Sequence, residues 1–406
     1  MTERPADDRA SRYRFVALAL IMAVQTAANL GALGLPSLAP LIRADLALSR
    51  QQAGSFISAF YVGGVLTSLP AGWLADRVGV RWTLLAGQGL TAGCFALMAL
   101  APDYGLLMAA VTLAGVGFGA VNPTSTKGVL VWFPARSRAT VVGIKQAGFP
   151  LGGALGALLL PSLAAILGWR GAVGVAGALI ALTAAIAGLG YREPAGGASP
   201  LAPPTPRVRA VLTSPSIWLV SLATFLFAAV QVSWISFLPL YLSEVVGLSV
   251  VAAGMVLGQA QVAGAAGRVL FGVVSDRLLG GRRLVLLVLA GAATGILCAL
   301  TARVGAATPA AVLSLLALAF GLTGIGWNGV HHTLVAELAG RESAATAVGL
   351  CLAVASVGVI AGPPLFGFAA DRLRVYDWGW YGLAAAMVGA LALLAPVREP
   401  RRALWG

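Results

Sequence analysis

The sequence contains little charge: only 10% of its 406 residues are Asp, Glu, Lys or Arg, against roughly 25% in an ordinary soluble domain. Acids are particularly few, with 14 Asp and Glu against 27 Lys and Arg. The remaining composition is 59% hydrophobic and is arranged in long blocks, which excludes a soluble globular protein because no soluble core could bury them on all sides. The positive charge lies in short segments between the blocks, so it does not indicate a nucleic-acid partner.

Cysteine and histidine are also scarce, which excludes several kinds of site. Cys94, Cys298 and Cys351 lie in three separate apolar blocks, without the pairing or the histidine spacing of a zinc site. We therefore expect packing residues and no metal. The chain has no HExxH, GxSxG or GxxxxGK[ST] motif, and no segment outside the blocks is long enough for a catalytic domain. The sequence predicts no enzyme, no catalytic residues, no cofactor and no direct use of ATP.

Twelve apolar blocks of about 20 residues, the length that crosses roughly 30 Å of hydrocarbon, follow one another along the chain. The first block follows a charged N-terminal segment and is longer than the apolar region of about 7–15 residues in a signal peptide, so we interpret it as a retained span. The predicted spans lie near residues 15–39, 50–71, 82–101, 105–133, 138–160, 170–190, 216–243, 250–274, 284–302, 309–338, 343–369 and 376–396.

Residues 191–215, between the sixth and seventh spans, contain six prolines and three arginines, a composition that neither crosses a membrane nor packs into a core. We therefore expect an N-terminal six-helix bundle at 1–190, a cytoplasmic linker at 191–215 and a C-terminal six-helix bundle at 216–406. With the N-terminus in the cytoplasm, eighteen arginines fall on the inner side and six on the outer side. This bias predicts a multi-pass protein of the cell (inner) membrane with both termini in the cytoplasm.

The two halves of the chain repeat one pattern, aligning at an offset of 200 residues around spans 2 and 8 and of 206 residues around spans 4–5 and 10–11. Matches between Gly or Ala arise easily in this composition, whereas matches of Asn and of Asp-Arg do not. Such repeats are typical of transporters. The pairs that carry the repeat are Asn122 with Asn328, Asp76-Arg77 with Asp276-Arg277, Gly115 with Gly321, and Gly152 with Gly358.

The loop after the second span reads G-x-x-x-D-R-x-G-x-R, and this motif with the repeat resembles the major facilitator superfamily. The resemblance covers the whole chain. It implies an all-α integral membrane protein with two pseudo-symmetric six-helix bundles, a central cavity lined by spans 1, 4, 7 and 10, and a motif loop that latches the outward-open state. The other interpretation of the motif arginines is that they only enforce orientation. The latch residues would be Gly72, Asp76, Arg77, Gly79 and Arg81, and, in a second copy with one extra residue, Gly272, Asp276 and Arg277.

Three cations, Lys127, Lys145 and Arg268, lie inside predicted spans, whereas no carboxylate lies deep within one. A charge at mid-membrane costs about 2.5–3.5 kcal/mol on insertion scales, so these groups need water or a partner. A cavity with fixed positive charge and no negative charge favours an anionic substrate. Arg268 is the first candidate, because arginine grips a carboxylate with two parallel N–H bonds, and Lys145 is the second. The alternatives are that either lysine snorkels to the interface, that Lys145 bonds to a backbone carbonyl, or that Arg268 is structural.

Other polar and aromatic residues of the spans are secondary candidates for the same site. Two adjacent histidines lie near Asn328, and only one of them is expected to face the cavity, because neighbours on a helix point about 100° apart. Aromatic side chains could form walls for an apolar part of the substrate. These candidates are His331, His332, Asn122, Asn328, Gln25, Asn29, Gln231, Tyr61 and Trp234.

The segments around Arg268 and Lys145 resemble those of family members that move monocarboxylates, oxalate, cyanate, nitrate or organic anions. Ser68 stands where the resemblance to nitrate porters would require a second arginine, which favours an organic anion. We therefore predict a monomeric secondary active transporter that moves a small organic anion, a carboxylate, by alternating access as a symporter or exchanger. Coupling to a proton, through His331, through His332 or on the substrate itself, stays open.

The alternative function is a proton-driven exporter of drugs or metabolites. Such antiporters of the family carry an arginine in span 4, where this chain has Val111, and a G-P-x-x-G-G signature in span 5, where it has Phe149-Pro150 after Gly148. The first feature is absent and the second is altered, so the anion transporter is the favoured interpretation.

Overall fold

The computed structural model describes residues 8–133, 138–193, 208–340 and 343–399. Within these ranges the chain is helical, with short turns between the helices and no β-strand. Most of the predicted linker, residues 194–207, lies outside the described residues, as do several of the arginines that support the predicted orientation.

The described residues pack as two units. One contains the described residues of 8–35 and 59–201, and the other contains 36–58 and the described residues from 202 onward. The first helix therefore contributes to both units, and the segment 36–58 packs with the second half of the chain although it belongs to the first half in sequence. Each unit is described below by itself.

The first unit is built from long apolar helices, as the hydropathy of the sequence predicts. Asp103 caps one of them, because its side chain accepts a hydrogen bond from the backbone N–H of Leu106 at 2.9 Å. Its helices are α1 (Asp8–Asp45, in part), α3 (Phe56–Val78, in part), α4 (Val80–Ala99), α5 (Tyr104–Gly119), α6 (Val121–Trp132), α7 (Arg138–Gln146) and α8 (Gly148–Gly190).

The second unit is also entirely helical in its described part, and it contains two single π-helical turns, at Leu242–Val246 and Gly321–Ile325. Ser214 and Ser249 cap two of its helices through their side-chain oxygens. Its helices are α2 (Arg50–Gly54), α9 (Val208–Leu212), α10 (Pro215–Tyr241), α11 (Val250–Arg277), α12 (Arg283–Thr301), α13 (Ala310–Phe320), α14 (Asn328–Ala339), α15 (Ala344–Leu373) and α16 (Asp377–Leu394).

The helices accommodate the twelve predicted spans. Ten helical stretches are long and apolar enough to cross a membrane, and the bent pair 56–68 and 70–78 makes an eleventh. One of the ten, Val141–Gly190, is 50 residues long, which is about 75 Å and more than twice the hydrocarbon thickness. Gly168 interrupts it with φ +71° and ψ 168°, so this stretch supplies two spans. The prediction of a twelve-helix membrane fold is confirmed.

Glycine contacts repeat between the two units. A side chain at Gly115 would overlap the backbone oxygen of Phe60, and one at Gly321 would overlap the backbone oxygen of Ala260. The first glycine joins α5 to α3, and the second joins the π-helical turn after α13 to α11. Small residues allow helix backbones to approach this closely in membranes. The same pair of spans is therefore in close contact in each unit, at positions that the repeat relates.

A second set of glycine contacts positions α1 against α8. A side chain at Gly152 would overlap the backbone oxygen of Thr26 and lie 2.7 Å from the Cβ of Asn29. In the second unit the paired residue, Gly358, lies in the same way against the backbone oxygen of Phe225, which joins α15 to α10. These approaches hold the polar residues of α1 close to the start of α8, where the candidate site begins.

Candidate functional site

Lys145 is the centre of the polar cluster in the first unit. It lies near the end of α7 and its side chain is fully buried. Its ammonium group donates hydrogen bonds to Oδ1 of Asn122 at 2.7 Å, to Oγ1 of Thr126 at 2.8 Å and to the backbone oxygen of Asn122 at 3.3 Å. All three acceptors are neutral, and no carboxylate among the described residues pairs with this ammonium group. The buried positive charge is therefore solvated but not neutralised.

The α6 helix supplies the acceptors for Lys145 because its polar residues recur at a spacing of four. Asn122 and Thr126 lie one helical turn apart on the same face, and the hydroxyl of Thr126 donates to the backbone oxygen of Asn122 at 2.8 Å. Asn122 itself is exposed, whereas Lys145 is not. The amide of Asn122 thus lies between the buried ammonium group and the surface of the unit.

Gln25 and Asn29 extend this cluster from α1, and both are buried. The hydroxyl of Ser125 donates to Oε1 of Gln25 at 3.4 Å, and Nδ2 of Asn29 donates to the backbone oxygen of Gln25 at 2.7 Å. A side chain at Gly148 would lie 3.0 Å from the Cγ of Gln25, so the glycine allows α8 to pack against α1 at this level. The structure brings Gln25, Asn29 and α6 together within one unit.

Lys127, a sequence candidate for substrate binding, is engaged elsewhere. Its Nζ lies 2.9 Å from Oδ1 of Asp76 and donates to the backbone oxygen of Ala75 at 2.7 Å. The motif carboxylate is thus paired with a lysine of α6. Because this ion pair uses the lysine and one of the latch residues, we treat Lys127 as part of the motif loop.

Glycine is required at position 79 of the motif loop. Gly79 has φ +93°, and a side chain there would also lie 2.7 Å from a carboxylate oxygen of Glu193. That carboxylate accepts the backbone N–H of Arg81 at 3.0 Å, at the start of α4. The guanidinium of Arg77 lies 4.0 Å above the ring of Trp73. A side chain at Gly72 would meet only ordinary contacts, so no close approach requires glycine there.

Gln231 is the centre of the polar cluster in the second unit. Its Oε1 accepts hydrogen bonds from Nε1 of Trp327 at 3.0 Å and from Nδ2 of Asn328 at 3.2 Å. Gln231 lies on α10, and the two donors lie at the start of α14, directly after the π-helical turn that ends at Ile325. Asn328 also donates to the backbone oxygen of Ile325 at 3.1 Å, which holds its amide in place.

The two histidines of the second unit lie on different sides of α14. His331 is buried, and its Nε2 forms a hydrogen bond with the hydroxyl of Thr224. His332 is half-buried and interacts electrostatically with Arg268 of α11. The backbone of Arg268 packs closely on Gly329, because a side chain at that glycine would lie 2.8 Å from the backbone oxygen of Arg268. The structure therefore groups Arg268 with His332 and directs His331 into the protein.

The second motif copy forms a different ion network. The guanidinium of Arg283 lies 3.1 Å from Oδ1 of Asp276 and 2.9 Å from Oε1 of Glu337, and only 7% of this arginine side chain is exposed. Arg277 is exposed, and nothing approaches the position of a side chain at Gly272 within 4 Å. The residue that holds the motif carboxylate is therefore Arg283, at the start of α12.

The two predicted aromatic walls differ in their surroundings. Trp234 is fully buried, stacks on Phe320 with 3.9 Å between ring centroids and donates from Nε1 to Thr301 at 3.3 Å. Its contacts in the structure are with other residues of the protein, and a contact with substrate stays a prediction. Tyr61 is half-buried, and its ring lies 6.3 Å from that of Phe118.

Sequence reasoning missed several residues that complete these clusters, chiefly Thr126, Ser125, Trp327 and Thr224. A usable signal existed for some of them. Thr126 follows Asn122 at helical spacing, and the offset of 206 residues pairs Gln25 with Gln231 as well as Asn122 with Asn328. Trp327 carries no such signal, because its role depends on where the π-helical turn places its indole ring.

Comparison with known proteins places these clusters in context. A sequence model described as "Major Facilitator Superfamily" matches residues 17–350. The probable sulfoacetate transporter of Cupriavidus necator is 28% identical over 384 residues, covering 88% of this chain and 87% of that protein. The 3-(3-hydroxy-phenyl)propionate transporter of Escherichia coli is 29% identical over 388 residues, covering 95% and 93%.

The fold matches solved structures as well. A crystal structure of a bacterial homologue of the human lysosomal transporter Spinster, in an inward-facing and occupied conformation, superposes with a TM-score of 0.78 and covers 97% of each chain. The two sequences are 19% identical, so the similarity concerns the fold alone.

Proposed function

The chain belongs to the major facilitator superfamily, and we propose that it moves a small organic anion, a carboxylate, across the cell (inner) membrane. In this proposal the protein is a monomer with both termini in the cytoplasm, works by alternating access as a symporter or exchanger, and contributes Lys145 and Arg268 to anion binding. The same mechanism is compatible with coupling to a proton through His332.

The observation that carries the proposal is the buried, un-neutralised charge of Lys145. Three neutral oxygens surround its ammonium group, and no described carboxylate pairs with it. A membrane protein that retains an unpaired charge inside a span has a destabilising group, on the order of 2.5–3.5 kcal/mol on insertion scales. An anionic substrate supplies the counter-charge during transport. In the second unit Arg268, beside His332, adds a second positive charge.

The named activities of the relatives support the same substrate class. Sulfoacetate and 3-(3-hydroxyphenyl)propionate are both small organic acids that are anionic at neutral pH. They differ in the group attached to the carboxylate, which is a sulfonate in one and an aromatic ring in the other. Their shared carboxylate is the part that a cationic site would recognise, and it is the part we assign to this protein's substrate.

Uptake into liposomes tests the proposal. We expect the purified, reconstituted protein to take up sulfoacetate or 3-(3-hydroxyphenyl)propionate, and Lys145→Met to reduce that uptake by about 100-fold, because loss of a buried charge partner typically costs about 2–5 kcal/mol of binding. Lys145→Arg retains the charge and should restore part of the uptake. Arg303→Gln, which removes an exposed cation of a loop, is the matched control and should behave as the wild type.

Two results would contradict the proposal in different ways. Wild-type uptake in both Lys145→Met and Arg268→Gln would show that neither cation belongs to the binding site. Thermal stabilisation of the protein by cationic dyes, with no stabilisation by any carboxylate, would favour the exporter alternative. A ligand at about a hundredfold excess over its Kd stabilises the folded protein by about 2.7 kcal/mol, so the melting temperature is a sensitive measure.

A further inference from the structure

The segment 36–58 comprises the end of α1, the short helix α2 and the start of α3, and it packs with the second unit although it belongs to the first half of the chain. We call it the docked segment. Oε1 of Glu244 lies 2.7 Å from Nη1 of Arg43, and Oε2 lies 3.0 Å from Nε of Arg50. Oε2 also accepts the hydroxyl of Tyr376 at 3.0 Å. One carboxylate outside the docked segment therefore binds two of its arginines.

Asp371, at the end of α15, binds the docked segment through its backbone. The two carboxylate oxygens of Asp371 accept the N–H group of Arg50 at 3.0 Å and that of Gln51 at 2.9 Å. These are the first two residues of α2, and N–H groups at the start of a helix have no partner inside that helix. A carboxylate of α15 therefore supplies the acceptors that α2 needs.

Two glycines allow the docked segment to lie close to its neighbours. A side chain at Gly54, the last residue of α2, would overlap the ring of Phe237 in α10. A side chain at Gly367, in α15, would overlap the Cα of Gln51. The docked segment is therefore bound by close packing as well as by charge, and both kinds of contact involve α15 or its neighbours in the second unit.

The backbone at these contacts departs from regular geometry. Ala47 lies in the docked segment and has φ +50°, and Arg374 lies directly after α15 and has φ +60°. Such a backbone is unfavourable for a residue with a side chain, and it persists where the surrounding structure imposes it. Glu244 lies in the π-helical turn Leu242–Val246, a geometry that is frequent at functional sites. The contacts of the docked segment, rather than its own backbone preferences, therefore determine its conformation.

The connections of the docked segment to the first unit are interruptions in regular helix. In α1 the boundary between the units falls between Leu35 and Pro36, and both Pro36 and Pro40 lie inside the helix. Each proline removes one hydrogen bond of the helix and favours a bend. At the other end, α2 and α3 are separated at Ser55, whose N–H bonds to the backbone oxygen of Gln52 at 3.3 Å. Both connections therefore allow the docked segment to move while the helices on either side stay intact.

We propose that the docked segment, residues 36–58, is a detachable element that Glu244 and Asp371 hold in place, and that its release is a step of the transport cycle. The adjoining ends of the first two spans then do not move with a rigid six-helix bundle. They bend at the prolines of α1 and at the break before α3. Glu244 is the residue on which docking depends most, because it binds both arginines. The inference goes beyond the proposed function, and only its uptake measurement rests on that function.

The rate of thiol labelling in detergent tests release without any substrate. Ser58 is 4% exposed and donates to the backbone oxygen of Val359 at 3.4 Å, so Ser58→Cys introduces a thiol that docking covers. We expect Glu244→Gln to raise the rate at which a maleimide labels this cysteine by at least about 10-fold, because a neutral amide binds the two arginines more weakly. Asp377→Asn is the matched control. It neutralises an exposed acid at the start of α16 and should leave the rate unchanged.

A native cysteine separates release from a general loss of structure. Cys298 is fully buried in α12 of the second unit, and it should stay unlabelled in Glu244→Gln. If the labelling of Cys298 rises as much as that of Ser58→Cys, Glu244 only stabilises the fold and the proposal is overturned. Should Glu244→Gln fail to fold, Arg43→Gln removes one of the two ion pairs and should raise the labelling of Ser58→Cys by a smaller factor. An unchanged rate in the folded variant would also overturn the proposal.

A reversible cross-link tests whether transport requires release. Arg43→Cys combined with Glu244→Cys replaces one ion pair with two thiols, which a reducible bifunctional thiosulfonate can join. We expect the cross-link to abolish the uptake of sulfoacetate and of 3-(3-hydroxyphenyl)propionate into liposomes, and its reduction to restore uptake. Undiminished uptake by fully cross-linked protein would show that release is not part of the cycle. If the wild type takes up neither anion, the proposed function fails, and the labelling rates alone decide whether the docked segment detaches.

Discussion

The two units share a scaffold but differ at the residues that carry charge. The repeat relates Lys145 to Cys351 and Asn122 to Asn328. In the first unit Lys145 donates to Asn122, whereas in the second unit Cys351 lies 2.9 Å from the hydroxyl of Ser221, and Asn328 donates to Gln231. The same asparagine position thus accepts in one unit and donates in the other. The repeat has therefore diverged at the positions that we propose for anion binding.

The scaffold, by contrast, is retained in detail. Glu193 accepts the backbone N–H of Arg81 at 3.0 Å, and Glu399 accepts the backbone N–H of Leu284 at 2.5 Å. These glutamates are 206 residues apart, each preceded by an arginine. Each carboxylate lies at the start of the helix that follows a motif loop, where the helix dipole favours negative charge. Helix caps and close contacts at glycine are therefore the features that the two units share.

The motif loops show an intermediate degree of divergence. Both copies keep their aspartate, but Asp76 pairs with Lys127 of α6, and Asp276 pairs with Arg283 of α12. Arg283 is nearly buried and bridges a second carboxylate, that of Glu337. Asp76 is 72% exposed. In both copies the motif aspartate forms an ion pair, but the cation of the second pair is more deeply buried than that of the first. We therefore expect the two pairs to contribute differently to the stability of the folded protein.

The largest expected effect comes from introducing a buried cation into the second unit, at the position that the repeat pairs with Lys145. Cys351→Lys would place an ammonium group at a fully buried position, where Ser221 is the one polar contact among the described residues. An uncompensated buried charge destabilises by about 3–5 kcal/mol. We expect a large fall in melting temperature in detergent, with Cys351→Ser as the control. A lysine tolerated there at wild-type stability would show that the second unit already provides what Lys145 requires.

A smaller difference is expected between the two motif loops. Arg283→Met leaves two carboxylates without their shared, nearly buried cation, so it should destabilise the protein by about 2 kcal/mol. Lys127→Met breaks a pair with an exposed aspartate and should cost less than about 1 kcal/mol. Chemical denaturation of both variants measures the difference. Equal losses would mean that the burial of the two pairs does not determine their strength.

The smallest effects should be equal in the two units. Glu193→Gln and Glu399→Gln each weaken a charged cap at a helix start, and such changes cost about 0.5–1 kcal/mol. Both variants should lower the melting temperature slightly and by similar amounts, and raising the salt concentration should reduce the difference from the wild type. A loss confined to one glutamate would show that the second cap does not contribute to stability.

The sequence predicts the spans well because membrane insertion depends mainly on apolar length, which is read directly from the chain. The break at Gly168 agrees with two separately predicted spans, whose boundaries fall at 160 and 170. The packing of residues 36–58 with the second half could not be predicted, because hydropathy contains no information about which bundle a helix end contacts.

The candidate site is less predictable than the fold. Lys145 and Arg268 are candidates for the site because charged side chains inside spans are rare and destabilising. Their neighbours depend on helix rotation, which a uniformly apolar span does not reveal. Lys127 shows the difficulty: it has the same charge and a similar predicted depth as Lys145, yet its side chain reaches Asp76. Trp234, predicted as a wall, stacks on Phe320, a contact that hydropathy does not reveal.

The break at Gly168 also bears on how the protein is made. No loop of any length separates the fifth and sixth spans, because the helix resumes directly after one residue with positive φ. Because a single residue joins these two apolar spans, we expect them to enter the bilayer together during synthesis. Because no loop is present at this turn, an epitope or a protease site inserted there would interrupt the helices. Reporters of membrane topology therefore belong at other connections of the chain.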